Sequence, residues 1–238
     1  MTGSSERIQV DEIIMSELRR AQRRHSRVLG EYWPSQIYSC LRKQYYSFYG
    51  DEVFGDDALR NFEAGNAYHD LIARTLQKWG NTTGARVQTE VPIRIPHRDH
   101  PEIVFSGRAD DIILIEKERR RFILEVKTTT NLVQKLRDNN IPRREHLAQL
   151  NLYLRAYPYS SGILMYVDRA TLKTHQFDLE FEQHIYDETM KRVAALHNYL
   201  KESRLPPPEA KESGSVWMCR YCSFLGLCSN NQNPGARP

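Results

Sequence analysis

Residues 107–127 read GRADDIILIEKERRRFILEVK: a strand-like run over 109–115, a charged turn over 116–121, and a second run over 122–128. Two apolar runs joined by a polar turn have the pattern of a β-hairpin. Side chains alternate between the two faces of a strand, so Glu125 and Lys127 project to one side while Leu124 and Val126 project to the other. Pairing the runs brings Asp110 beside Glu125, and one rim then carries two carboxylates and an ammonium. Hard oxygen donors of this kind select Mg2+ or Mn2+, and a neighbouring lysine can orient a water or neutralise charge at a phosphoryl centre. The plainer reading of the same residues is a hairpin with a cross-strand ion pair.

The remainder of the chain limits what such a hairpin can belong to. Its 238 residues are enough for one good core with a small appendage. Apolar residues make up 40% and charged residues 27%, which excludes a disordered chain. A formal charge of +4 permits a polyanionic partner without demanding one. The opening residues MTGSSERIQVDEIIMSELRR lack an apolar leader, and no run is long enough to span a bilayer. A cytoplasmic protein is therefore expected, with its four cysteines serving as metal ligands rather than disulfides.

Periodicity supplies the neighbours of the hairpin. Val10, Ile14, Leu18 and Ala21 predict a helix over 11–28, and its later turns carry Arg19, Arg20, Arg23, Arg24 and Arg27. That arginine run reads first as a solvated face and second as a phosphate contact. A helix opening at Pro34 carries Ile37, Leu41 and Tyr45 on one stripe and Cys40 near its middle. A longer one, over 57–79, places Leu59, Phe62, Ile72, Leu76 and Trp79 on one face, with His69 on the same inward stripe and Gly65 one turn earlier. A strand is predicted over 87–95, and a polar, mobile loop over 134–145. The helix over 144–157 has the core stripe Leu147, Leu150 and Leu154, with Gln149 and Tyr153 as an i,i+4 pair on an adjacent face. Strands over 162–168 and 174–179 and a helix over 182–202 complete an α/β or α+β domain built on a mixed sheet. A proline-rich linker over 204–215 leads to WMCRYCSFLGLC, and the tail over 229–238 reads as disordered.

Cys219, Cys222 and Cys228 are spaced C-x2-C-x5-C, and Cys40 lies far upstream. A zinc ribbon usually supplies a second C-x-x-C, absent here. One remote and three clustered thiolates suit an iron–sulfur cluster, and structural zinc is the rival. Either would tie the end of the chain to the segment around Cys40.

Taken in order, Gly65-x3-His69, Gly107-x2-Asp110, Glu125-x-Lys127 and Gln149-x3-Tyr153 resemble the motif series of RecB-type nucleases in the PD-(D/E)xK superfamily. With Cys40, Cys219, Cys222 and Cys228 added, the chain looks like the compact iron–sulfur RecB-like exonucleases associated with CRISPR adaptation and antiviral defence. The likeness covers about residues 33–228, and Ala109 stands where the superfamily's name has proline. The resemblance implies a restriction-endonuclease-like mixed sheet flanked by helices. It divides the chain into a basic N-terminal helix (1–32), a cysteine-ligated lobe (33–56 with 204–228), a nuclease core (57–203) and the tail (229–238). It makes His69, Asp110 and Glu125 metal ligands with the backbone carbonyl of Val126, and Lys127 the catalytic lysine. Gln149 and Tyr153 would line the site and hold the lysine or the DNA. A 4Fe–4S cluster on the four cysteines is implied, with 2Fe–2S as the alternative form.

The expected activity is Mg2+- or Mn2+-dependent exonuclease cleavage of DNA, with endonuclease activity as an extension, on single strands or ends. Tyr45, Tyr46 and Tyr153 are candidates for stacking on unpaired bases, set against the commoner role of core packing. The expected setting is trimming of DNA for CRISPR spacer acquisition beside the integrase complex, with self-assembly into an oligomer. Two alternatives stay open: a viral or mobile-element recombination exonuclease, and a non-catalytic DNA-binding protein with structural zinc.

Overall fold

The computed structural model describes residues 8–22, 27–220 and 222–236. In chain order its elements are α1 (Val10–Ala21), β1 (Glu31–Tyr32), α2 (Leu41–Tyr46), α3 (Asp56–Thr83), β2 (Arg86–Pro96), β3 (Val104–Ile115) and β4 (Arg120–Thr129). Then follow α4 (Leu132–Arg137), α5 (Arg144–Ala156), β5 (Ser161–Asp168), β6 (Thr174–Leu179), α6 (Gln183–Lys201), α7 (Glu209–Glu212) and α8 (Leu225–Ser229).

The hairpin of residues 107–127 forms the middle of a six-stranded mixed sheet. β3 pairs antiparallel with β2 along one side, and its other side is shared by two strands. β1 takes Val104 and Phe105, and β4 takes Asp111 to Ile115. β4 then runs on parallel to β5 through Thr129, and β6 closes the far edge antiparallel to β5. The β4–β5 connection is parallel, so it needs a crossover, and α4 and α5 supply it. β3 and β4 therefore part at residue 110. Asp110 is in neither ladder, and across from it on β2 Glu90 adopts the left-handed region at φ 51°.

Alternation along the strands sends side chains to two cores. Ile112, Ile123, Leu164 and Tyr166 meet α5 and α6 through Leu150, Leu154, Met190, Val193 and Leu196. Leu124, Val126 and Val167 face α3, packing on Tyr68, Ile72 and Leu76. Full burial of each such side chain is worth ~1.5–3 kcal/mol. α5 is buried all round from Ala148 to Tyr153, beyond its expected stripe, because α6 covers the side turned from the sheet. Its buried Asn151 is satisfied by exchanging hydrogen bonds with the backbone N–H and carbonyl of Glu182. Gly162 lets Leu150 and Leu154 sit against β5, where an added Cβ would meet them at 3.0–3.2 Å.

Several expectations need correction. The helix opening at Pro34 is a single 3₁₀ turn over Pro34–Gln36, and the α-helix begins only at Leu41, which puts Cys40 at its N-cap. The mobile loop over 134–145 contains the end of α4, whose Leu132 is buried, and the first turn of α5. α1 ends at Ala21 and buries Met15, while Val10 and Ile14 are exposed. Its outer residues are held by ion pairs with α3, Arg19 to Asp56 and Asp11 to Arg60. Arg23 and Arg24 lie outside the described residues. On α3, Phe62 and Trp79 are exposed, while Tyr68, Ile72 and Leu76 pack on Leu124, Val126 and Val167 of β4 and β5. The tail is docked as far as Ala236: the Tyr45 hydroxyl donates to Asn233 Oδ1 and the Tyr46 hydroxyl to the Gln232 carbonyl. A phenol at the edge of an apolar cluster needs a polar partner, and the tail provides it. Among the described residues no helix is long and apolar enough to cross a membrane.

Candidate active site

The fork between β3 and β4 assembles the site. Free of both ladders, Asp110 turns its carboxylate into the gap, where Oδ2 accepts the Val126 N–H at 2.7 Å. That bond fills the place of the β3 carbonyl that would pair there in an unbroken sheet. Oδ1 lies 3.3 Å from Nδ1 of His69, carried in by α3 from the opposite face. Beside them Glu125 is 1% exposed, and its Oε1 accepts from Lys127 Nζ at 2.6 Å. Lys127 also donates to Gln149 Oε1 at 3.0 Å, and Gln149 Nε2 donates to the Tyr153 hydroxyl at 3.2 Å. A chain of polar contacts therefore runs from α5 through the lysine to the buried acid.

All the residues expected at the site meet at this fork. Glu125 and Lys127 share a strand face, as alternation requires, and α5 presents Gln149 and Tyr153 to that face. Gly107 keeps the wall thin: a Cβ there would stand 3.1 Å from both the Pro34 ring and the Tyr153 hydroxyl. Gly65, expected to admit a close approach, is less constrained, with Thr128 Oγ1 at an ordinary 3.8 Å. The three tyrosines considered for base stacking are core residues instead. Tyr45, Tyr46 and Tyr153 are each no more than 1% exposed, so none presents a ring face to a ligand.

Burial and charge set the protonation of the group. Burial, reinforced by the Asp110 charge, pushes the Glu125 carboxyl up despite the pull of Lys127. For Lys127 burial acts the other way, but Glu125 and Asp110 outweigh it and hold the ammonium above its ordinary value. Burial likewise opposes the charged form of His69, and the hydrogen bond and charge of Asp110 overcome it, so its imidazole is raised.

Sequence reasoning passed over two residues here. Asp111, fully buried on the α3 face, has its carboxyl pushed up to about 6 by burial and by Asp110. Its Oδ1 is buried without a hydrogen-bond partner. The signal was the doubled acid in GRADD, where a strand needs only one polar residue per face. His146 lines the cleft and bonds the Tyr166 hydroxyl at 2.7 Å; burial, with Lys127 and Arg143, pushes it down to about 3. It therefore stays neutral.

As they stand, no three or more histidine, cysteine, aspartate or glutamate groups among the described residues are arranged to hold a metal ion. His69, Asp110, Glu125 and Lys127 direct most of their donors and acceptors at one another. The exception is Glu125 Oε2, buried and without a partner. An orphaned carboxylate oxygen flanked by a second carboxylate and an imidazole fits a hard divalent cation.

A second constellation lies at the other end of the chain. Cys40, Cys219, Cys222 and Cys228, none in a disulfide, line a single, largely apolar cavity of about 210 Å3 with Tyr46 and Leu225. Two polar clasps hold the segments together around it. Arg42 donates to the Pro206 carbonyl and to Asn231. Glu209 accepts from Arg192 and from the Leu41 N–H.

Comparison with known proteins agrees with this architecture. Over 123 residues the chain is 27% identical to the CRISPR-associated exonuclease Cas4 of Saccharolobus solfataricus, a match covering 52% of this chain and 51% of the relative. The chain thus matches about half the length of that curated relative. The crystal structure of SSO0001 superposes with a TM-score of 0.62 at 20% identity, covering 93% of this chain and 96% of that one, a likeness of fold. A family model described as the PD-(D/E)XK nuclease superfamily matches residues 48–229, a span that includes the fork, α5 and the three clustered cysteines. The chain belongs to the PD-(D/E)XK nuclease superfamily.

Proposed function

We propose that the protein is a divalent-metal-dependent DNA exonuclease, with endonuclease activity as an extension, that hydrolyses phosphodiester bonds on single strands or at ends. The observation that carries this reading is the fork itself: Glu125 with an unpartnered buried oxygen, beside Asp110, His69 and a lysine held in place from α5. His69, Asp110, Glu125 and the Val126 carbonyl are the residues that would hold Mg2+ or Mn2+. A bound cation supplies Lewis acidity and a water of lowered pKa.

The protein's own residues do the remainder. Lys127 keeps a fixed positive charge at the rim, where negative charge grows as the phosphoryl centre is attacked. Gln149 fixes the direction of that ammonium and Tyr153 fixes Gln149, so both are positioning residues. Burial of Glu125 keeps water from screening these charges. A module that only bound DNA would have no use for such a costly buried cluster.

For the cysteines, the reading is a 4Fe–4S cluster, with 2Fe–2S as the alternative, fastening the lobe formed by 33–56 and 204–228. Its support is that the remote Cys40 and the three clustered thiols of Cys219, Cys222 and Cys228 line one cavity. The family likeness, together with a CRISPR-associated exonuclease among its relatives, favours a place in CRISPR spacer acquisition, beside the integrase and in an oligomer.

The test uses 5′- and 3′-labelled single- and double-stranded DNA with Mg2+, Mn2+ or EDTA, comparing wild type with Glu125→Ala. Metal-dependent shortening from an end, abolished in the variant, is expected. Equal cleavage by both proteins would overturn the site, and no cleavage by folded wild type under any condition would overturn the activity.

A further inference from the structure

Beyond Lys127 the cleft widens into a cavity of about 590 Å3 whose charge is one-sided. Its lining includes Lys127, Lys135, Arg143 and Arg169, and among the described residues it contains no carboxylate. The cations approach from three elements: α4 brings Lys135, the start of α5 brings Arg143, and the end of β5 brings Arg169.

Among the described residues, Lys135 and Arg169 meet only neutral oxygens within hydrogen-bond reach. Lys135 Nζ donates to Thr129 Oγ1 at 2.5 Å, and Arg169 donates to Asn61 Oδ1. Arg169 Nε is buried with no hydrogen-bond partner among the described residues. Arg143 has Glu145 at 3.6 Å from Nη1, outside the cavity lining. Asp168, next in sequence to Arg169, directs its carboxylate at the backbone N–H groups of Leu132, Ala170 and Thr171. Crowding is felt: burial, then the charges of Arg143 and Arg169, lower the Lys135 ammonium against the opposing pull of Asp168. Like charges gathered in a concave, partly desolvated wall are costly unless an anion joins them.

We propose that this cavity is a phosphate seat, in which Lys135, Arg143 and Arg169 grip a phosphate of the bound strand next to the one presented to Lys127. The inference rests on the nuclease reading and adds to it the feature that sets which bond is cut. Guanidinium groups and an ammonium converging on a wall with no carboxylate among its described lining residues match a phosphate's several acceptor oxygens. The phosphate is either a terminal phosphomonoester or the neighbouring internal phosphodiester, and both carry the recognised chemistry.

The experiment measures cleavage kinetics and, separately, binding of short labelled oligonucleotides in EDTA, for wild type, Lys135→Gln/Arg169→Gln and Lys135→Arg/Arg169→Lys. The charge-removing pair is expected to raise KM about tenfold or more, with kcat within about threefold. It should also flatten the dependence of log affinity on log salt by about one unit per cation removed. The charge-keeping pair should restore most of both, which a purely structural role for these side chains would not. Oligonucleotides with a 5′-phosphate, a 3′-phosphate or hydroxyl ends identify the source. A wild-type preference for one phosphorylated end, lost in the charge-removing pair, assigns a terminal phosphate. An equal loss for all ends assigns the internal one. Unchanged KM and salt slope, or equal losses in both pairs, would overturn the seat. The EDTA arm needs no catalysis, so it judges the seat even if wild type cuts nothing, a result that would sink only the nuclease reading.

Discussion

Replacing Glu209 by glutamine tests how the cysteine lobe is held apart from any metal. The carboxylate takes both terminal nitrogens of Arg192 at 2.6 Å and the first N–H of α2, from Leu41, at 2.9 Å. Arg192 in turn donates to the carbonyls of Ile37 and Ser39, so one ion pair joins α6, α7 and the segment carrying Cys40. Breaking a buried pair costs ~3–5 kcal/mol, but Glu209 is 32% exposed and water recovers part of that, leaving ~2 kcal/mol. At this chain length the loss lowers Tm by about 4–8 °C. The pH dependence has a definite sign. Burial alone would raise the Glu209 carboxyl, yet the Arg192 bond and the Leu41 N–H hold it below its ordinary value. The stability it contributes is therefore present above the unfolded-state pKa of about 4.3 and is lost as pH falls through the lower folded value. Thermal melts followed by far-ultraviolet circular dichroism at pH 7, 5 and 3 should show the two proteins well separated at pH 7 and 5 and converging at pH 3. A separation below about 1 °C at pH 7, or one that stays constant down to pH 3, would refute the reasoning.

Three other outcomes are expected. Gln149→Leu removes the second acceptor of Lys127, so kcat should fall about tenfold or more with Tm nearly unchanged, and an unaltered kcat would show that the lysine needs no such guide. Gly107→Ala pushes a methyl group against Pro34 and the Tyr153 hydroxyl, which should cost ~1–3 kcal/mol in denaturant unfolding; a neutral result would mean the wall yields freely. Cys222→Ala should lower Tm more than Glu125→Ala does, and freshly purified wild type should absorb broadly near ~400 nm if the thiols hold iron and sulfur. Equal melting temperatures, or colourless protein containing zinc, would count against the cluster.

The strand pair at 107–127 was legible because alternation and a charged turn are local properties, and so were α3, α5 and α6, whose apolar spacing repeats over several turns. His69 was visible only through its motif order, since a histidine on an apolar stripe has no local mark of its role. The two-sided burial of α5, the α-helix starting at Leu41 instead of Pro34, the docked tail and the buried tyrosines escaped because each depends on a partner distant in sequence. Tyr45 and Asn233, for example, are 188 positions apart. The cation-lined cavity escaped for the same reason: Lys135 and Arg143 lie in a stretch that reads as a polar loop, and Arg169 directly follows β5, far along the chain.

By itself the sequence determined which groups could do the chemistry, because residue type and strand parity place Glu125 and Lys127 on one face whatever surrounds them. Only the tertiary structure decided where they act. The sheet must fork at Asp110, α3 must cross one face to deliver His69, and α5 must cover the other to aim the lysine. Those placements come from burying two apolar faces at once, and no stretch of the chain read alone can express that constraint.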